Sequence, residues 1–173
     1  KGLYIVSTPI GNRYDITIRA IMVLKASNTL ICEDTRVTKK LFKLLNLDIK
    51  EKKWISYNDH SAETKKNIIL KELKLDKIIS LVSDAGTPLI SDPGYALVRE
   101  CRLENLVVSP IPGACSVIAA LSVSGLPTNQ FSFRGFAPTK AKDRTTFLRT
   151  MSEETFTFFL IKNKTFIFKN TPF

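Results

Sequence analysis

Cysteine and histidine are scarce in this chain, and that scarcity removes whole classes of chemistry. Cys32, Cys101 and Cys115 are odd in number, lie far apart and form no C-x-x-C pair. Neither a disulfide framework nor a zinc site follows from such usage, and the cytosol is the natural compartment. His60 is the single histidine, which closes any scheme that needs two. No apolar run approaches the ~20 residues of a membrane span, and the first residues show no basic-then-apolar signal segment. The chain also lacks a G-x-G-x-x-G run, a Walker A sequence, an H-E-x-x-H pair and a nucleophile elbow. Acid is in deficit: 16 Asp+Glu stand against 26 Lys+Arg, a formal charge of +10. That imbalance favours a polyanionic partner such as RNA, through phosphate neutralisation.

What is present is an ordinary globular composition. The 173 residues are 44% hydrophobic and 24% charged, enough for one domain or one domain plus part of another. Short apolar runs at 3–7, 29–32, 54–57, 77–83 and 106–109 read as strands. Helical spacing separates them: Ile18, Ile21, Met22, Val23 and Leu24, with Asp15 or Thr17 as cap; then Val37, Leu41, Leu44 and Leu45. Ile68, Ile69, Leu70 and Leu73 follow after the Asn58–Ser61 turn, then Tyr95, Leu97 and Val98, and finally Val117 to Val123. Five strands alternating with helices, each crossover a dozen residues or longer, predict an α/β fold built on a mainly parallel sheet. The character changes after residue 125. Phe131–Phe136 alternates like a strand, 140–151 is a basic helix candidate, and the Phe-rich run from Thr155 reads as one or two strands. This predicts a domain over 1–125 and an incomplete second α/β domain over 126–173.

Three strand-ending loops are rich in Gly, Pro, Ser and Thr: 8–12, 83–94 and 110–116. Open α/β sheets bind ligands at the carboxyl ends of their strands. Loops of this kind offer backbone donors and acceptors with few charges, which suits an adenosyl group. Glu33 stands 22 residues after Gly11, where a dinucleotide domain carries its ribose-binding acid, but the glycine fingerprint is missing. Asp84 and Asp92, eight residues apart, read as turn or cap residues ahead of a metal pair.

Four motifs carry a resemblance. STPIGN at 7–12, CEDTR at 32–36, SDAGTPLISDPGY at 83–95 and PIPGACSVIAALSVSGLPT at 110–128 occur in order. Together they resemble the bacterial 16S ribosomal RNA ribose 2′-O-methyltransferase family, the cytidine-methylating branch of the tetrapyrrole methylase (class III methyltransferase) fold. The likeness runs from about Leu3 to Lys140. It implies two α/β domains, S-adenosylmethionine in the cleft between them, and 2′-O-methylation of a cytidine ribose in the decoding region of the small subunit. It also implies a cytoplasmic homodimer that acts on 16S RNA or the small subunit and carries no metal.

Transferred onto this sequence, the resemblance implies cofactor contacts at Pro9 and Gly11, at Ala85, Gly86, Thr87 and Ile90, and at Pro112, Gly113, Cys115 and Ser116. Cys115-Ser116 replaces the family's usual Ser-Ala, and a thiol is a weaker hydrogen-bonding group than a hydroxyl. Glu33 and Asp34 are the candidate bases for the ribose hydroxyl. Arg36, Lys39, Lys40 and Lys43 are candidates for RNA phosphates, with Lys65 and Lys66 beside them. Acids at a helix start also suit the helix dipole, and CEDTR is open to that reading as well. The family's E-S/A-P-H-R motif is absent after Phe158-Phe159, so an inactive truncated remnant stands as one alternative. A methylase of tetrapyrroles or other small molecules, on the same fold, is the other.

Overall fold

The computed structural model describes residues 1–58, 62–151, 157–162 and 165–169. His60 and its neighbours at 59 and 61 lie outside them. The chain folds as two compact units, Lys1–Cys115 and Ser116–Phe173. The change in composition after residue 125 falls within the second of these units.

The first unit holds β1 (Gly2–Val6), α1 (Ile18–Ala26), β2 (Thr29–Cys32), α2 (Thr35–Leu44) and β3 (Lys53–Ser56). It continues through α3 (Ala62–Leu73), β4 (Ile78–Val82), α4 (Tyr95–Leu103) and β5 (Val108–Ile111). All strand pairs are parallel, in the order β3-β2-β4-β1-β5. Successive strand side chains point to opposite faces, so each strand feeds two cores. Leu3, Ile31, Ile55, Ile79 and Leu81 pack with Ile69, Leu70 and Leu73 of α3 and Leu97 and Cys101 of α4. Val6, Leu30, Cys32, Val82 and Ile111 pack with Ala20 and Leu24 of α1 and Phe42 of α2. Burial on both faces is why these strands read as unbroken apolar runs.

Three details differ from the sequence reading. β5 begins at Val108, two residues later than the apolar run suggests, and it contains Pro110. Pro110 lacks an N–H, which an edge strand tolerates; β5 is the edge beside β1. On α2 the buried residues are Thr38 and Phe42, whereas Val37 and Leu44 are exposed. Phe42 meets the ring of Trp54 edge-on at 5.2 Å and fixes which stripe faces the sheet. On α1, Ile18 and Met22 are 79% and 65% exposed despite their helical spacing. Of the two cap candidates, Thr17 is the one used: its hydroxyl accepts from the amide of Ala20.

The second unit holds α5 (Ser116–Ser122), β6 (Phe131–Phe136), α6 (Ala141–Met151), β7 (Thr157–Lys162) and β8 (Thr165–Lys169). β6 and β7 are parallel, β7 and β8 antiparallel. The hydroxyl of Thr157 donates to the carbonyl of Pro127 at 2.8 Å. No helix among the described residues is long and apolar enough to cross a membrane.

Candidate cofactor and substrate site

Topology locates the site before any side chain does. The connection after β1 runs through α1 on one face of the sheet, and that after β4 runs through α4 on the other. β1 and β4 are neighbours, so their carboxyl ends part in opposite directions and leave a crevice at a switch point. The loops with the Gly/Pro-rich motifs all emerge there.

Hydrogen bonds tie the loops together. Thr8 and Gly86 exchange backbone bonds in a two-residue antiparallel bridge, 2.8 and 3.1 Å long. The hydroxyl of Thr8 donates to the carbonyl of Ser83 at 3.2 Å. The hydroxyl of Thr87 donates to the carbonyl of Ala114 at 3.0 Å and lies 3.0 Å from the hydroxyl of Ser7. A hydroxyl has one proton to give, so Ser7 is the donor to Thr87. One polar chain thus joins the ends of β1, β4 and β5.

Backbone conformation explains one glycine of these loops and close approach another. Gly86 has φ +89°, a conformation that side chains resist, and a Cβ there would meet Ile10 at 3.4 Å. Gly113 packs so tightly on Ser7 that a Cβ would lie 2.9 Å from the Cβ of Ser7. Leu89 and Ser91 adopt φ of 72° and 61° in the same loop. Left-handed backbone in non-glycine residues costs about 1–3 kcal/mol each and collects at functional sites. Asp92 is half-buried there; burial raises its pKa, the hydroxyl of Ser83 opposes this, and the charge of Asp84 adds to it.

CEDTR forms the turn from β2 into α2. Asp34 caps α2 by accepting from the amide of Arg36, and its own amide donates to Asp84 at 3.1 Å. The Arg36 guanidinium grips the same carboxylate, with its closest contact at 2.6 Å. Its hydrogen bonds hold Asp34 down at about 2. The carbonyl of Glu33 accepts from the hydroxyl of Ser56 at 3.3 Å. Burial pushes the Cys32 thiol up to about 11, against the hydrogen bond with Thr38. A thiol so rarely ionised at neutral pH is a core residue, not a nucleophile.

The expected cofactor positions Pro9, Gly11, Ala85, Gly86, Thr87, Ile90, Pro112, Gly113 and Cys115 all lie on these joined loops. Ala85, Ile90, Pro112 and Gly113 are exposed, and a Cβ on Gly11 would meet only open space. Ser116 opens α5 in the second unit. Of the basic candidates, Lys40 and Lys43 are exposed and Arg36 is paired with Asp34. Lys39 sits 5.2 Å over the ring of Trp54, and Lys65 donates to the carbonyl of Ser56. Sequence reasoning placed Ser7, Thr8 and Ala114 in the motifs but gave them no individual role, and it gave Asp84 only a turn or metal role. Buried hydroxyls directly after an apolar strand were the available signal for Ser7 and Thr8. Among the described residues, no cluster of His, Cys, Asp and Glu is placed to hold a metal ion.

Comparison with known proteins agrees with this geometry. Ribosomal RNA small subunit methyltransferase I of Rickettsia prowazekii is 53% identical over 138 residues, 80% of this chain and 48% of the relative. The protein of the same name from Vibrio cholerae is 51% identical over 142 residues, 82% of this chain and 48% of the relative. The chain therefore spans about half the length of the curated relatives it matches. Two solved structures share its fold. A cobalt precorrin-4 methyltransferase of cobalamin biosynthesis has TM-score 0.64 and 18% identity, covering 92% of this chain and 67% of its own. Uroporphyrin-III C-methyl transferase from Thermus thermophilus, complexed with S-adenyl homocysteine, has TM-score 0.59 and 19% identity, covering 93% and 69%. The family model of the Tetrapyrrole (Corrin/Porphyrin) Methylases matches residues 2–169. Nearly the whole chain fits that model, and it belongs to the tetrapyrrole (corrin/porphyrin) methylase family.

Proposed function

We propose that this chain serves S-adenosylmethionine-dependent 2′-O-methylation of a cytidine ribose in 16S ribosomal RNA. The observation that carries the reading is the crevice between β1 and β4, closed by the Thr8–Gly86 bridge and flanked by CEDTR through the Asp34–Asp84 bond. Relatives at about half identity named as small-subunit RNA methyltransferases support the RNA substrate.

The crevice residues fit an adenosyl ligand. The backbone is open at Ala85 and Gly113, Gly11 leaves space, and the hydroxyls of Ser7, Thr8 and Thr87 stand beside the carboxyls of Asp84 and Asp92. Ala85, Gly86, Thr87 and Ile90 would hold it from one side, and Pro9, Gly11, Pro112, Gly113, Cys115 and Ser116 are the remaining assigned contacts. When bound, S-adenosylmethionine supplies a methyl group on a sulfonium. The work left to the protein is alignment, which can contribute ~7–11 kcal/mol in favourable cases. Glu33 takes the proton of the ribose 2′-hydroxyl, an aid of ~10²–10⁴ in rate. Asp34, held at about 2, is a poor base near neutral pH and serves to anchor Arg36. Arg36, Lys40 and Lys43 hold phosphates of the RNA, and Lys39, held over Trp54, adds less to that contact.

In this reading residues 1–125 form the domain that carries the crevice and CEDTR, and 126–173 belong to a second domain. The working species is a cytoplasmic homodimer, to be checked by analytical ultracentrifugation. The function is tested by titrating the chain with S-adenosylhomocysteine, then incubating it with labelled S-adenosylmethionine and small-subunit RNA. Methylation at a 2′-oxygen blocks alkaline cleavage of the next phosphodiester, so a new alkali-resistant step at one cytidine is the expected product. Methyl transfer to a tetrapyrrole but not to RNA would overturn the reading, as would cofactor binding with no transfer to either.

A further inference from the structure

A groove of about 370 Å³ lies between the segment that follows the β1 loop and the carboxyl end of α2. Half-buried Ile16, Ile21 and Leu45 and exposed Arg13, Tyr14 and Leu44 line it, and no carboxylate does. Arg13, Tyr14 and Asp15 form a 3₁₀ turn that starts two residues after Gly11, with Asn12 as its cap. Leu44 and Leu45 end the helix that CEDTR begins.

Tyr14 is 76% exposed, yet its ring is organised. The Arg13 guanidinium stacks over it at 4.8 Å and also donates to its hydroxyl at 2.7 Å. An exposed aromatic with a guanidinium beside it and an apolar floor next to it is a stacking platform. Unpaired RNA bases are recognised in this way, splayed onto aromatic rings or guanidinium planes. The charge agrees: Arg13 lies in the groove, Lys40 and Lys43 are exposed on α2, and the whole chain carries +10.

We infer that the groove receives an unpaired base of the RNA substrate, stacked on Tyr14, a few nucleotides from the one that is methylated, since α2 sets the groove about 15 Å from CEDTR. The inference rests on the RNA-methylation reading and adds a requirement to it: the RNA around the target must be single-stranded.

The test measures binding of a fluorescein-labelled single-stranded oligoribonucleotide, and of its duplex, to the whole chain by anisotropy at low salt. Parent, Tyr14→Ala and Tyr14→Phe are compared, with thermal melting to confirm that each folds. Loss of one base–aromatic stack predicts about a ten-fold or greater weakening of single-strand binding by Tyr14→Ala. Tyr14→Phe keeps the ring and should bind like the parent, and duplex binding should be the same for all three. An unchanged Tyr14→Ala, or an equal loss on duplex and single strand, overturns the groove assignment while leaving the methylation reading intact. A parent chain that binds neither RNA overturns both. Loss of self-association in Tyr14→Ala, with RNA binding unchanged, would show that the groove is a contact between copies of this chain and also overturns the assignment.

Discussion

The backbone amide of Asp34 donates to Oδ1 of Asp84 at 3.1 Å across fifty residues of sequence. This bond fastens the turn that carries Glu33 and Arg36 to the loop that carries Ala85, Gly86 and Thr87. The two halves of the proposed site are thereby one mechanical unit.

Removing the acceptor should loosen that unit. Asp84→Ala is expected to cost about 1.5–3 kcal/mol, the range for a hydrogen bond to a charged group. It should also speed hydrogen exchange at the Asp34 amide. Asp84→Asn retains a carbonyl acceptor and should recover most of the loss. Equal exchange rates in Ala and Asn variants would show that the bond does not hold the turn.

Gly113→Ala should separate the β1 and β5 loops. The added Cβ would stand 2.9 Å from the Cβ of Ser7, whose hydroxyl donates into the Thr87–Ala114 link. S-adenosylhomocysteine affinity should fall at least ten-fold by calorimetry, with a smaller drop in melting temperature. Wild-type affinity in the alanine variant would remove Gly113 from the site.

Acid should weaken the far end of the sheet. Glu72 is buried and accepts from Thr29 at 2.7 Å and from Lys53, with Lys77 at 3.8 Å. Burial works to raise its pKa, but the hydrogen bonds and the lysine charges outweigh burial and the net shift is downward. A carboxylate with a lowered folded pKa stabilises the fold above its unfolded pKa, and loses that contribution as pH falls through the folded value. Melting temperature should therefore drop below the ordinary glutamate range, and Glu72→Gln should flatten that drop. A parallel pH profile in the Gln variant would assign the acid sensitivity elsewhere.

The lysines of α2 should divide into two kinds. Lys40 and Lys43 are exposed, whereas Lys39 is held over Trp54, the single tryptophan. Lys40→Ala with Lys43→Ala should weaken RNA binding and lower the salt slope by about 0.7 for each single-strand phosphate no longer neutralised. Lys39→Ala should change the tryptophan emission more than the salt slope. A slope unaltered in the double variant would take α2 out of the RNA surface.

Much of this was legible because it depends on local rules. The parallel sheet followed from apolar runs separated by helical spacing, and the ligand loops from Gly and Pro placed directly after strands. The face of α2 was not legible. Val37, Leu41, Leu44 and Leu45 satisfy helical period as well as Thr38 and Phe42 do, and the packing of Phe42 into the sheet core and against the Trp54 ring decides between the stripes. The start of β5 was hidden for a similar reason, because pairing with β1 sets its register.

The sequence by itself determined the order of strands and helices, the small-residue loops, the absence of disulfide and zinc patterns, and the excess of positive charge. Those properties reside in residue type and spacing. The tertiary structure alone decided that the Thr8 and Gly86 backbones pair, that Ser7, Thr87 and Ala114 form one polar chain, and that Asp34 hangs from Asp84. These bonds join residues 27 to 80 positions apart. Such pairings form only when the β3-β2-β4-β1-β5 order brings the strand ends side by side, and spacing along the chain carries no record of that order.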